Sequence, residues 1–254
     1  MLQAQLCGKL TIKEQRMEDL LTSNVLGSLK YVPYIEGLYL IFQNSYDQNS
    51  RRAPIPQNIT KVAYKFWPRM KEKYCKECEP DVLLTMVNES KKIIEVLIEA
   101  KFLSDKSSEA TEEVECNDQL AREWENLTKR TSSNGSEPIL LYITNDLYYP
   151  SDSIKESIEE FNDKWDRTDQ AQNWKKPMHV YWISWRELPR ILGASRHEIL
   201  LDLVELLRNQ GLTFFEGIKL SGFTPSSWEF TPSIEWTWYT KIKKDAWIFK
   251  TGKA

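Results

Sequence analysis

The chain has 254 residues, enough for one large domain or for a core domain with a small appendage. Its formal net charge of -3 excludes a protein that coats nucleic acid through bulk positive charge, and leaves room only for a local basic groove. Hydrophobic residues at 41% and charged residues at 28% are ordinary for a globular chain, and no apolar run approaches the ~20 residues that a bilayer crossing needs. No membrane partner is expected, and Met1 to Thr11 lacks an apolar signal region, so the expected location is cytoplasmic.

The first predicted element is a helix over Ile12 to Leu29, where Met17, Leu20, Leu21, Val25, Leu26 and Leu29 share one stripe. Gly37 to Phe42 reads as a short strand and Gln43 to Pro56 as a loop carrying Arg51 and Arg52. Lys61 to Lys76, basic and aromatic, reads as an irregular helix broken at Pro68. Val82 to Val87 and Lys92 to Phe102 form the arms of a hairpin around Asn88 to Lys91. After a loop from Ser104 to Glu115, a helix runs from Asp118 to Arg130, capped by Asn117 or Asp118. Ile139 to Thr144 suits a buried strand, and Ser153 with Glu156 forms a capping box for the next helix. Asp163 to Pro177 reads as a polar linker and Val180 to Ile183 as another buried strand. Ser184 with Glu187, then Ser195 with Glu198, open two further helices, the second ending at Gly211. The remainder alternates aromatics with polar residues and suits a hairpin or small sheet. The order describes a mixed α/β chain around one central sheet.

Cys75 and Cys78 form a single C-x-x-C with no second ligand pair, which favours reduced thiols over structural zinc. His179 and His197 have no nucleophile partner, and no Gly-rich phosphate loop is present. Any ATPase would be a separate partner.

The informative segment is Glu95 to Lys101. As a strand it alternates, with Ile94, Val96, Ile98 and Ala100 on one face and Glu95, Leu97, Glu99 and Lys101 on the other. Burying Glu99 and Lys101 inside a sheet is costly unless they are paired or bind a metal, and a plain salt bridge satisfies that need too. The hairpin changes the balance by bringing Asp81, at the start of the neighbouring strand, to the same end of the sheet. Two carboxylates that close repel unless a cation lies between them, and their oxygens suit a hard ion such as Mg²⁺.

Pro80-Asp81 followed by Glu99-Ala100-Lys101 resembles the PD-(D/E)XK signature of restriction-endonuclease-like nucleases. Members of that fold often carry an acidic residue on the first helix, which Glu18 matches best, ahead of Asp19 and Glu14. Many place a glutamine on the helix after the Glu-x-Lys strand, as Gln119 stands here; some add a tyrosine one turn later, where this chain has Glu123. The resemblance covers roughly Gln15 to Ser184 and implies a core of αβββαβ type; the expected division is a nuclease core over residues 1–194 and a helical, aromatic-rich C-terminal extension over 195–254 packed on it. It implies Mg²⁺ or Mn²⁺ held by Asp81, Glu99, Glu18 and the carbonyl of Ala100, with Lys101 and Gln119 completing the catalytic set. The expected activity is hydrolysis of phosphodiester bonds, in DNA before RNA, with a role in restriction or anti-phage defence. The alternative is an inactive subunit of the same fold that binds nucleic acid or assembles a larger complex. A homodimer, or a separate ATPase or defence-complex subunit, is the protein partner this reading allows.

Overall fold

In the computed structural model, residues 18–103, 106, 116–166 and 176–214 are described. Five strands form one mixed sheet in the order β1 (Ile59–Phe66), β2 (Val82–Asn88), β3 (Ile93–Ala100), β4 (Glu137–Thr144), β5 (Val180–Ser184). The first three pair antiparallel and the last three parallel, so β3 lies at the switch. Helices α1 (Glu18–Ser28), α2 (Leu38–Asn44), α5 (Leu188–Leu192) and α6 (Glu198–Asn209) share one apolar core with Val82, Leu84, Ile94, Val96 and Ile98. Helices α3 (Gln119–Asn134) and α4 (Ser151–Asp166) cover the opposite face, packing on Leu83, Leu97, Leu140 and Trp182. The alternation expected for Ile94 to Lys101 therefore places the Ile94, Val96, Ile98, Ala100 row in the first core and Leu97 in the second. Parallel strands with both faces covered read as continuous apolar runs, which is why β4 and β5 are buried along most of their length.

Gly37 to Phe42 is a helix, not a strand: Leu38, Ile41 and Phe42 point inward at helical spacing, and so short an apolar run carries both periodicities equally well. The 61–76 stretch is likewise not a helix. Its first part is β1, an edge strand whose partly buried Val62, Tyr64 and Phe66 alternate with exposed residues. α4 starts at Ser151, ahead of the expected capping box, so Ser153 lies within its first turn; its C-terminal end reaches Asp166, into the expected linker. α6 is capped at His197, with Ser195 Oγ accepting the His197 N–H rather than capping the helix. α3 matches its expected start, since Asp118 accepts the Ala121 N–H, but runs on to Asn134. Gly135 stops it at φ 73°, a left-handed conformation that only glycine adopts without cost.

The chain divides into a unit Met1–Phe214 and a unit Phe215–Ala254. α6 buries Leu200, Leu203, Leu206 and Leu207 in the same core as α1, so it belongs to the first unit and not to an extension starting at 195. The aromatic hairpin expected near the C-terminus lies outside the described residues, as do positions 12–17 of the first helix and nearly all of the 104–115 loop. Among the described residues no helix is long and apolar enough to cross a membrane.

Candidate active site

The register of the β2–β3 hairpin sets Val82 opposite Ile98. Asp81, one residue before β2, therefore falls beside the Glu99 end of β3, and its Oδ2 accepts the Ala100 N–H at 2.8 Å. Glu99 is the last outward-alternating residue of β3 and is 2% exposed. Lys101 follows the strand and is held twice through its backbone: its N–H donates to Ile143 O on β4 at 2.7 Å, and its carbonyl accepts Trp185 Nε1 at 3.0 Å. Its ammonium reaches Glu99 Oε1 at 2.7 Å and Glu18 Oε1 at 3.1 Å. Glu18, at the start of α1, is fixed by its second oxygen, which accepts the Phe102 N–H at 2.8 Å. From the other side, Gln119 in the first turn of α3 donates its carboxamide to Glu99 Oε1.

All six residues expected at the site are thus brought together: Asp81, Glu99, Ala100, Lys101, Glu18 and Gln119. They meet where β3 ends, which is also where the parallel strands β4 and β5 end, and the C-terminal edge of such a sheet is the usual place for a ligand crevice. A cavity of about 520 Å³ lies beside the cluster, lined by Phe102, Lys106, Tyr142, Asp146 and Ser153 among others, and of the six residues only Lys101 lines it.

Sequence reasoning gave no site role to two further residues. Glu123, one helical turn after Gln119, is 1% exposed and stands within hydrogen-bonding reach of Glu99 and Gln119. Its spacing from Gln119 was the available signal. Tyr142, opposite Glu99 on β4, is 4% exposed and borders the cavity; nothing in its sequence context separates it from other strand aromatics.

The electrostatics follow from crowding carboxyls in a dry place. Burial, then the charge of Glu99, pushes the Asp81 carboxyl up to about 8, against the opposing pull of the Ala100 N–H and Lys101. Burial raises Glu99 as well, with Lys101 working against the rise. Glu123 is raised well above the carboxylate range by burial and then by Glu99. Burial by itself would lower Lys101, but Glu99 and Glu18 outweigh it and hold the ammonium charged. Glu99 and Glu123 hydrogen-bond to one another side chain to side chain, and no other group donates to Glu99 Oε2 or Glu123 Oε2.

Cys75, Cys78 and Cys116 are buried free thiols, each raised chiefly by burial, and Cys78 is raised further by the nearby charges of Glu123 and Glu99, so it borders the cluster. His197 Nε2 contacts Glu36 Oε2 at 3.1 Å on the surface. Arg52 lines a separate cavity of about 310 Å³ with Tyr46, Trp182 and Arg190.

Compared with protein-family models, curated proteins and solved structures, the chain finds no match.

Proposed function

We propose that this chain is a metal-dependent nuclease with a restriction-endonuclease-like core of the PD-(D/E)XK type. The observation that carries the reading is the convergence of Asp81, Glu99 and Lys101 at the end of β3, with Glu18 and Gln119 reaching the same cluster from helices on opposite faces of the sheet. A chance match to a short motif does not require two distant helices to deliver the matching acid and amide.

The residues fit a hard divalent cation. Among the described residues, no three His, Cys, Asp or Glu side chains converge as a ready ligand set. Mg²⁺ does not need one, since it is commonly held by one or two carboxylates with waters and substrate phosphate oxygens. Asp81 and Glu99 supply two carboxylates, the carbonyl of Ala100 between Glu99 and Lys101 is a third oxygen in the reading, and no group but Glu123 donates to Glu99 Oε2. When bound, the ion supplies Lewis acidity to a phosphodiester and lowers the pKa of an attacking water.

The chain's own groups do the rest. Lys101, held charged by Glu99 and Glu18, lines the cavity, where its ammonium would orient water and offset charge developing on the phosphate. Gln119 fixes the Glu99 carboxylate, and Asp81 is fixed by the Ala100 N–H. Trp185 and Ile143 anchor the Lys101 backbone so that its side chain approaches from one direction. The substrate is DNA in this reading, and the role in restriction or anti-phage defence is part of the same proposal.

Supercoiled plasmid incubated with Mg²⁺ or Mn²⁺ tests it, beside Lys101→Ala and an EDTA control. Nicking or linearisation by the wild-type protein alone supports the assignment. Equal cutting by both proteins overturns the role of Lys101. Absence of cutting, together with absence of Mn²⁺ binding, overturns the nuclease reading itself.

A further inference from the structure

The cavity of about 310 Å³ opens at the C-terminal end of β5, where Ile183 and Ser184 line it. Tyr46 forms part of its wall and is pinned to β5 through the backbone. Its N–H donates to the Trp182 carbonyl at 3.1 Å, and its carbonyl accepts the Trp182 N–H at 2.9 Å. The chain then turns back on itself. One Asp47 oxygen accepts the Asn49 and Arg51 N–H groups at 2.8 and 2.9 Å, which returns Arg52 opposite Tyr46. Arg52 is thereby presented to the cavity from a fixed turn built on the sheet.

The charges in the cavity do not cancel. Arg190, on α5, donates Nε to Glu187 at 2.7 Å and Nη2 to Asn44 at 3.4 Å. Glu187 is the acid among the lining residues, so its charge is answered within the wall. The Arg52 guanidinium is exposed and has no ion pair or hydrogen bond among the described residues. One positive charge is therefore left over. Beside it, Tyr46 and the exposed Leu147 give the cavity an apolar flank. A planar guanidinium with its donors unused suits a phosphate, and an apolar flank suits the sugar that a phosphate carries in a nucleotide.

Strand register fixes where this cavity lies relative to Lys101. β4 and β5 run parallel with Thr144 beside Ser184. Thr144 lines the cavity that Lys101 lines, and Ser184 lines the cavity of Arg52. Trp182 Nε1 donates to Thr144 Oγ1 at 2.9 Å and ties the two rims together. Neighbouring strands lie about 5 Å apart, and a nucleotide advances ~3.4 Å along a duplex. A nucleic-acid strand with a phosphate at Lys101 thus reaches Arg52 within a few nucleotides. We propose that the Arg52 cavity is a subsite for the sugar–phosphate of a nucleotide near the scissile bond, on the same strand. Arg52 holds the phosphate there, and Leu147 and Tyr46 flank the sugar. The proposal rests on the nuclease reading for the scissile position and adds a second contact to the strand.

The test is fluorescence anisotropy of a short labelled DNA duplex with the full chain in EDTA, titrated at several KCl concentrations. Wild type is compared with Arg52→Ala, Glu187→Gln and Lys92→Ala. Lys92 pairs with Glu137 where β4 begins, at the opposite end of the sheet, and serves as the control. Arg52→Ala should weaken binding several-fold whatever the sequence, and should lower the slope of log affinity against log salt by about 0.9. Glu187→Gln removes the acid from the wall and should tighten binding, while Lys92→Ala should match wild type. With Mg²⁺, Arg52→Ala should raise KM for plasmid cutting and keep kcat. If Arg52→Ala matches Lys92→Ala in affinity and slope, the subsite is overturned, and cutting by the wild type leaves the nuclease reading standing. If a deoxynucleoside monophosphate binds through Arg52 and the duplex does not, the cavity serves a free nucleotide and the strand subsite is likewise overturned. If the duplex binds through Arg52 but the wild type neither cuts nor binds Mn²⁺, the contact to DNA stands and the nuclease reading falls.

Discussion

Replacing Asp81 with asparagine should stabilise the metal-free protein, and the gain should grow with pH. Asparagine keeps an oxygen that can accept the Ala100 N–H, now made at 2.8 Å, so the change removes charge and little else. The Asp81 carboxyl is pushed from 3.8 up to about 8, mainly by burial and then by Glu99. A group whose folded pKa lies above its unfolded one costs nothing below the lower value, and its cost grows as pH rises toward the upper value. The window is therefore between pH 3.8 and about 8. At ~1.4 kcal/mol per unit, a shift of about four units amounts to roughly 6 kcal/mol. Asp81 and Glu99 repel one another, so the cost is shared, and half of it leaves about 3 kcal/mol for the substitution to recover at pH 8. For a domain of this size each kcal/mol moves Tm by ~2–4 °C, so the variant should melt about 6–12 °C higher in EDTA at pH 8 and only slightly higher near pH 5. The assay is a thermal melt of both proteins across that range, repeated with Mg²⁺. A cation at about 100 times its Kd should raise the wild type by ~2.7 kcal/mol and the variant far less. A variant that melts below wild type at pH 8, or a difference that stays flat with pH, would refute the claim that burial beside Glu99 raises the Asp81 carboxyl at a cost to stability.

Three other substitutions separate the site from its scaffold. Arg130→Ala strips one donor from the buried Glu95 and should cost ~1–3 kcal/mol in a denaturant titration, with plasmid cutting unchanged because Glu95 belongs to the middle of β3 and not its end. Gly135→Ala forces a side chain into the left-handed region at φ 73° and should cost about 1 kcal/mol by the same measurement, again without effect on cutting. Trp185→Phe removes the donor to the Lys101 carbonyl, so it should lower both stability, by ~1–3 kcal/mol, and the cutting rate, while Mn²⁺ binding persists.

The parts of the fold that sequence patterning captured are those in which one periodicity dominates. β3 alternates cleanly, β4 and β5 are apolar runs between turn residues, and α3 announces itself by Asp118 and by Leu120, Trp124 and Leu127 on one face. The failures are short or two-sided. Leu38–Asn44 has too few residues for a turn count to separate helix from strand, and β1 at the sheet edge mixes lysine into a strand that only β2 pairs. Asp81, Glu99 and Lys101 were legible because hairpin register and strand alternation are both local rules, so their meeting follows from a few consecutive residues. Glu18 and Gln119 needed the family resemblance, since no local rule says which faces of α1 and α3 meet the end of β3. Glu123 was hidden for a different reason. An acid beside the Leu120–Trp124–Leu127 stripe normally marks the edge of a helix's solvated face, yet here that edge is turned under the sheet against Glu99. Only the tertiary packing converts it from a surface acid into a buried one. That same packing sets its carboxyl against Glu99 and Gln119, so the least legible residue of the cluster is satisfied only by partners that the fold brings to it.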